Sequence, residues 1–207
     1  MLKFPSCRFW NSSSQKFGST EQITIGSETL PKHQMKQRFL RKVWQFRPWT
    51  RERACPMVAK LKLRHPYVSL LVRRGDKTRE NTQPINVSTI VEFLDAVTVN
   101  GTLTREVFVG TDDCRSLSEL KQASRRYTFK NLCGKSWELG WKQSPELKKQ
   151  NLTDHYIKFF GELLAMSASD IFLGDHLSSV HHFVAYMRPL SSTEKSVFTM
   201  RKASSVW

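Results

Sequence analysis

A chain of 207 residues has room for one substantial domain with terminal tails, and this length excludes two complete Rossmann domains. Hydrophobic residues make up 39% of the sequence and aromatic residues 11%, which is enough for a packed core and excludes disorder throughout the chain. The formal net charge of +15 predicts an anionic partner, and composition leaves nucleic acid, a membrane surface, a phosphorylated donor and an acidic polysaccharide open.

The amino-terminal part of the sequence predicts a tail followed by a helix and a strand. Residues 1–33 are rich in Ser, Thr, Gln and Gly and are predicted to be a poorly ordered tail. Apolar residues recur at helical spacing over residues 34–46, until Pro48 ends the pattern, which predicts an amphipathic helix with a basic outer face. Residues 67–72 are apolar on both faces and β-rich, as expected for a buried parallel strand.

Helices and strands then alternate up to a predicted carboxy-terminal tail at residues 191–207. The predicted elements are a helix around 90–97, a strand at 107–110, a helix at 116–124, a strand at 127–129, a long helix at 154–167, a strand at 171–173 and a closing helix at 180–187. Because helices connect successive strands, the strands are expected to be parallel. The sequence therefore predicts an α/β fold, a Rossmann-like parallel sheet with helices on both faces, formed by residues 34–190.

The sequence has no membrane-span or zinc-site pattern, and its sequons favour a secretory protein. No apolar run approaches the roughly 18 residues of a membrane-spanning helix, and residues 1–17 contain no continuous signal-peptide core. The cysteines lack the spacing of a zinc site, and their pairing stays open. Four asparagines begin glycosylation sequons, which favours a secretory protein, although Asn, Ser and Thr are also common at helix caps and turns: Asn11, Asn86, Asn100 and Asn151.

Charged and hydroxylated clusters follow three of the predicted strands, at residues 73–77, 111–113 and 175–179. Ligands of open α/β sheets bind outside the carboxyl ends of the strands, so these clusters are the candidate site. Arg73 and Arg74 cannot both point into the core, and a guanidinium binds a diphosphate with two parallel hydrogen bonds. The alternative is that both arginines form ion pairs with Asp76 and a neighbouring acid in a solvated turn.

These clusters also carry a family resemblance. The segment from Arg73 to Lys77 reads Arg-Arg-Gly-Asp-Lys, and the segment at 107–113 reads Val-Phe-Val-Gly-Thr-Asp-Asp. Together with residues 45–49 and 162–179, they resemble the donor-binding motifs of the core α1,6-fucosyltransferases and their relatives, a GT-B-like superfamily. The resemblance covers about residues 39–189 and implies that the domain is the donor-binding half of such a fold.

The resemblance implies a fucosyltransferase that takes fucose from GDP-fucose to a glycan or glycoprotein acceptor with inversion, without a metal or other cofactor. It implies residence in the Golgi or secretory pathway and no nucleic-acid partner. By position, it implies that Arg73 contacts the diphosphate, that Glu80 is the acid–base residue and that Lys77 supports the leaving group. The substrate-binding residues that it implies are Arg73, Arg74, Asp76, Asp112, Asp113, Glu162, Ser178 and Ser179.

The sequence departs from the family pattern in two positions and in its layout. Leu71 stands where the family has His, and Asp175 stands where it tends to have Thr. The second α/β domain that precedes the arginine motif in the family is expected to be short or absent here. A donor-binding pseudoenzyme or a fragment without turnover is therefore an alternative. A basic nucleic-acid-binding module is another alternative, although no helix-turn-helix, zinc finger or exposed aromatic sheet pattern supports it.

Single residues of the site also have simpler interpretations. Asp113, Ser178 and Ser179 are equally plausible as caps of the helices that follow them. Glu162, on spacing alone, is more often an exposed charge on a helix.

Overall fold

The computed structural model describes residues 22–74, 84–99, 104–134, 152–175, 177–188 and 197–200. Its elements in chain order are β1 (Gln22–Ile25), β2 (Glu28–Pro31), α1 (Lys32–Val43), α2 (Pro48–Lys60), β3 (Val68–Val72), α3 (Val87–Val99), β4 (Glu106–Thr111), α4 (Arg115–Ala123), β5 (Thr128–Lys130), α5 (Leu152–Ser167), β6 (Ile171–Gly174), α6 (Ser179–Met187) and β7 (Val197–Thr199). None of the helices in this described part of the chain is both long enough and apolar enough to cross a bilayer.

Five strands form one sheet in the order β5-β4-β3-β6-β7, and every neighbouring pair is parallel. The chain moves outward from β3 to β5 on one side and then returns to β6 on the other side of β3. This reversal places the topological switch point between β3 and β6, where open α/β sheets form their ligand crevice. The parallel sheet confirms the predicted α/β fold class.

Side chains of the central strand alternate between two cores, one on each face of the sheet. Leu70 belongs to a buried cluster with Leu94 of α3, on the face that α3 and α4 cover. Leu71 points to the opposite face and belongs to a cluster with Phe108 of β4 and Leu163 of α5. A strand buried on both faces needs apolar residues at consecutive positions, which explains the uninterrupted apolar run of β3.

Helix α2 was not predicted from the sequence. Pro48, which was expected to stop a helix, is the first residue of α2, a position where the missing N–H costs nothing and the fixed φ fits the helix. Pro56 inside the segment also argued against a helix. Packing against α5 stabilises α2, because a Cβ at Gly161 would meet Val58 and the Ala54 carbonyl of α2 at 3.5 and 3.7 Å.

Two pieces of regular structure lie inside the segments that were predicted to be tails. Strands β1 and β2 form an antiparallel hairpin whose turn contains Gly26 with φ +63°. Strand β7 extends the main sheet beside β6. These strands are short and partly exposed, so their side chains do not show the apolar alternation by which a strand is recognised in sequence.

A buried arginine holds the amino ends of β3 and β6 together. Arg188 follows α6, is almost fully buried, and donates hydrogen bonds to the Met166 carbonyl at 3.1 Å, to Ser169 Oγ at 2.8 Å and to the Asp170 carbonyl at 3.0 Å. Ser169 Oγ also lies 2.6 Å from Ser69 Oγ of β3. Burial lowers the pKa of Arg188 to about 10, so the guanidinium stays charged at neutral pH.

Cys114 and Cys133 form a disulfide that joins the start of α4 to the segment after β5, with Cα atoms 5.9 Å apart and a sequence separation of 19. Cys55 is also disulfide-bonded.

Replacing both Cys114 and Cys133 by serine is expected to lower the free energy of unfolding by about 3 kcal/mol, because the unfolded chain regains the entropy of an open loop. Urea unfolding of the double variant and the parent protein measures this difference. Superimposable curves would contradict the prediction.

Candidate functional site

The three charged clusters lie at the carboxyl edge of the sheet, as the parallel topology requires. Strand β3 ends at Val72, which pairs with Thr111 at the end of β4. Arg73 therefore follows β3 directly beside Asp112, which follows β4. On the other side of β3, β6 ends at Gly174 and leads into the start of α6. Residues that are distant in sequence thus meet around the switch point.

Asp112 holds the two arginines in place. Its Oδ2 lies 3.3 Å from Nε of Arg73, and its Oδ1 accepts a hydrogen bond from the backbone N–H of Arg74 at 2.8 Å. The side chains of Arg73 and Asp112 are 15% and 8% exposed, so this ion pair is shielded from solvent. The carboxylate therefore fixes both the path of the chain after β3 and the position of the Arg73 guanidinium.

Arg74 points away from the switch point. Its Nη1 donates to the carboxylate of Glu119 on α4, and its Nη2 donates to the Ile85 carbonyl at 3.4 Å, just before α3. These contacts tie the helices on the β4 side of the site to the end of β3. Both arginines therefore form ion pairs, as the alternative interpretation holds, with Asp112 as the partner of Arg73 and Glu119 as the partner of Arg74.

Asp113 organises the start of α4. It is buried, and its carboxylate accepts three hydrogen bonds from Arg115: from the backbone N–H at 3.1 Å, from Nε at 2.8 Å and from Nη2 at 2.8 Å. Burial raises the pKa of Asp113, but the hydrogen bonds from Arg115 outweigh burial and hold the pKa below its ordinary value. The N-cap residue of α4 is Cys114, so Asp113 lies one residue before the cap and holds the turn that leads into the helix.

Glu162 of α5 lies near the carboxyl edge of the sheet. It is only 6% exposed, which excludes the interpretation as an exposed surface charge. It interacts electrostatically with Lys158, Asp112 and Arg73, and the nearby backbone N–H of Thr111 favours its charged form. The structure therefore brings Arg73, Asp112 and Glu162 together, although they lie on three separate elements.

The charge state of Glu162 depends on its surroundings. Burial, and to a smaller extent the nearby carboxylate of Asp112, raise its pKa to about 8 against the opposing effect of Lys158. The same burial lowers the pKa of Lys158, one helical turn earlier on α5. Sequence reasoning missed Lys158, and the only signal for it was its spacing of four residues from Glu162.

The pKa of Glu162 predicts a pH dependence of stability. A carboxyl group whose pKa rises on folding contributes stability that is present below its ordinary pKa of 4.5 and is lost as the pH rises through about 8. The free energy of unfolding is therefore expected to fall by about 2 to 3 kcal/mol between about pH 6 and pH 9. Glu162→Gln removes the titrating group and should flatten this dependence.

Urea unfolding of both proteins at several pH values in that range measures the effect. Lys158, whose lowered pKa acts in the opposite sense, interacts with Glu162, so the difference between the two curves reports the titration of this coupled pair. Equal slopes in the parent protein and the glutamine variant would contradict the prediction.

The start of α6 lies at the carboxyl end of β6. Ser178 is the N-cap residue and is buried, but its side chain makes no capping hydrogen bond, and Ser179 is the exposed first residue of the helix. Asp175 Oδ1 accepts the Leu177 N–H at 3.0 Å. A helix amino terminus carries partial positive charge, so its position here is compatible with an anionic ligand.

Three predicted site residues, Asp76, Lys77 and Glu80, lie outside the described residues. Within the residues that are described, no group of three or more His, Cys, Asp or Glu side chains is placed to hold a metal ion.

Solved structures resemble this chain, whereas no family model and no curated protein sequence match it. POFUT1 in complex with GDP matches at 15% identity with a TM-score of 0.50, over 79% of this chain and 51% of that chain. POFUT1 in complex with GDP-fucose matches at 14% identity with a TM-score of 0.48, over 75% and 46%. The chain thus spans about half the length of the solved chains that it matches. The likeness to the GDP complex shows that the chain shares the GT-B-like fold of POFUT1 over that half.

Proposed function

We propose that this chain binds GDP-fucose at the carboxyl edge of β3, β4 and β6, as part of a fucosyltransferase that acts on a glycan or glycoprotein. The observation that carries the proposal is the position of Arg73, which Asp112 holds at the topological switch point. Both solved neighbours named above bind a guanosine diphosphate ligand, and this agrees with the proposal.

The residues at this edge fit the charge that develops during fucosyl transfer. Bond breaking leaves negative charge on GDP, and a cation that is already in place stabilises this charge without having to reorganise. Arg73 supplies the cation, and the amino terminus of α6 adds partial positive charge near the end of β6. In this proposal Ser178 and Ser179 lie against the phosphates.

Asp112 also positions the two arginines in this proposal. Its two oxygens face Arg73 and the N–H of Arg74, which supports a positioning role for Asp112. Direct contact of Asp112 or Asp113 with the nucleoside stays a prediction. Glu162 is protonated near neutral pH in this proposal, so it can donate a hydrogen bond to a ligand atom.

The chemical step rests on residues outside the described part of the chain. We propose that Glu80 accepts the proton of the acceptor hydroxyl, that Lys77 supports the leaving diphosphate and that Asp76 supports the pocket, with inversion at the sugar and without a metal. An α1,6 linkage and a Golgi location belong to the same proposal. The disulfide between Cys114 and Cys133 agrees with a secretory protein, because disulfides persist in oxidising compartments.

Calorimetric titration with GDP and UDP at moderate salt tests the donor site directly. We expect GDP to bind and UDP to bind much more weakly. Equal binding of both nucleotides would show that the site recognises the diphosphate and not the guanine base. If the folded protein binds neither nucleotide, the proposal is refuted. A second titration with GDP-fucose, followed by detection of released GDP in the presence of glycopeptide acceptors, separates a transferase from a pseudoenzyme.

A further inference from the structure

A second concave surface lies at the opposite edge of the sheet. It is an open cavity of about 770 Å³, formed by the segment before β3 and by the first residues of β4 and β5. We call it the amino-edge groove, and its charged lining residues are Lys62, Arg64, His65, Arg105, Glu106 and Lys130. Its volume falls in the range of about 300 to 1,000 Å³ that is typical of ligand-binding pockets.

The acidic residue of the amino-edge groove is engaged inside the groove itself. Glu106 forms an ion pair with Lys130 and accepts the backbone N–H of Arg64 at 2.8 Å. Lys130 Nζ also donates to the Lys62 carbonyl at 2.9 Å. Glu106 and Lys130 therefore shape the floor of the groove and neutralise each other.

The remaining cations give the groove its net charge. Lys62, Arg64 and Arg105 are exposed, and none of their side chains takes part in an ion pair among the described residues. His65 lies at the rim, with its ring packed on Tyr67 at a centroid distance of 4.8 Å and its Nδ1 2.9 Å from Asp170 Oδ2. Three exposed cations thus face one concavity whose only acid is already paired.

The amino-edge groove is separate from the proposed donor site. The five residues of strand β3 separate the two sites. At about 3.3 Å per residue, the length of this strand is roughly 16 Å. Arg73 lies beyond one end of β3, and Arg64 lies before the other end. One nucleotide bound at the carboxyl edge therefore leaves the amino-edge groove open to another ligand.

We propose that the amino-edge groove binds a sulfated glycan. The exposed arginines provide planar forks that match tetrahedral anionic groups such as sulfate. Among the described residues that line the groove there is no exposed Phe, Tyr or Trp ring on which bases could stack, which disfavours single-stranded nucleic acid. The disulfide between Cys114 and Cys133 indicates an oxidising compartment, where polyanions are supplied by glycans and not by nucleic acid.

The test compares two variants that change net charge by the same amount. Arg64→Glu with Arg105→Glu alters the amino-edge groove, and Lys36→Glu with Lys42→Glu alters exposed positions on α1. A heparin-derived octasaccharide is titrated into the parent protein and both variants at several salt concentrations. We expect the groove variant to bind about tenfold more weakly or worse, with a shallower salt dependence, while the α1 variant stays close to the parent protein.

Equal losses in the two variants would overturn the proposal, because they would show a general effect of net charge. Absence of octasaccharide binding by the parent protein at physiological salt would overturn it as well. Single-stranded and duplex DNA oligomers of similar charge are titrated in a second experiment. If DNA binds more tightly than the octasaccharide and the groove variant abolishes this binding, the groove is a nucleic-acid surface and the proposal is overturned.

GDP titration and thermal unfolding of each variant check that the fold and the carboxyl edge are intact. If the glutamate variant does not fold, Arg64→Gln with Arg105→Gln removes the same charges without introducing new ones. Because GDP binding is measured at the other edge of the sheet, failure of the donor site and failure of the groove are distinguishable.

Discussion

Arg73→Ala is expected to weaken GDP binding by about 10- to 100-fold, since a charge-assisted hydrogen bond to an anionic ligand contributes about 1.5 to 3 kcal/mol. Arg73→Lys should recover only part of this affinity, because an ammonium group is a point charge and cannot present two parallel N–H groups to a diphosphate. Calorimetric titration of the parent protein and both variants measures the loss. Unchanged GDP affinity in Arg73→Ala would contradict the proposed donor site.

Two control variants exclude trivial reasons for that loss. Arg74→Ala removes the neighbouring guanidinium, whose contacts with Glu119 and Ile85 are structural, and it should affect GDP binding less than Arg73→Ala does. Arg73→Ala also leaves Asp112 without its ion pair, and a bare carboxylate would repel a diphosphate. In Arg73→Ala with Asp112→Asn this repulsion is absent, so restored GDP binding in the double variant would show that Arg73 only neutralises Asp112.

Arg188→Ala is expected to lower the free energy of unfolding by about 3 to 5 kcal/mol. The variant removes one hydrogen-bond donor from each of the carbonyl oxygens of Met166 and Asp170 and the hydroxyl of Ser169, and it opens a cavity between the ends of β3 and β6. Each buried acceptor that loses its partner costs about 1 to 3 kcal/mol. Chemical denaturation at neutral pH measures the change.

Arg125, which is exposed, provides the matched control for Arg188. Arg125→Ala removes the same side chain from a surface position and should change the free energy of unfolding by no more than about 0.5 kcal/mol. Arg188→Lys keeps the charge but cannot reach all three acceptors, so most of the destabilisation should persist. A loss below about 1 kcal/mol in Arg188→Ala would show that the arginine network is dispensable.

The strands of the main sheet were predictable because each is a short apolar run. Residues 67–72 and 171–173 predict β3 and β6 to within one residue at each end, and the helix predicted at 154–167 corresponds to α5. A parallel strand is buried on both faces, so a run of consecutive apolar residues marks its position without any information about distant contacts. The hairpin, α2 and β7 lack such local signals and were not predicted.

The candidate site was predictable in its residues but not in their contacts. The parallel topology alone requires that clusters after β3, β4 and β6 meet at one edge of the sheet. Sequence could not show that Arg73 turns toward Asp112 while Arg74 turns toward Glu119, because two adjacent residues of the same type carry the same local signal.

By itself, the sequence determined the α/β class, the succession of the main strands along the chain and the edge where Arg73 and Asp112 lie, since all three follow from short apolar runs that alternate with amphipathic helices. Only the tertiary structure decided that Glu162 is buried with a raised pKa, that Cys114 pairs with Cys133 and that an amino-edge groove gathers Lys62, Arg64 and Arg105. Burial, disulfide pairing and electrostatic interaction depend on distances through space, and these distances are set when the helices pack on the sheet.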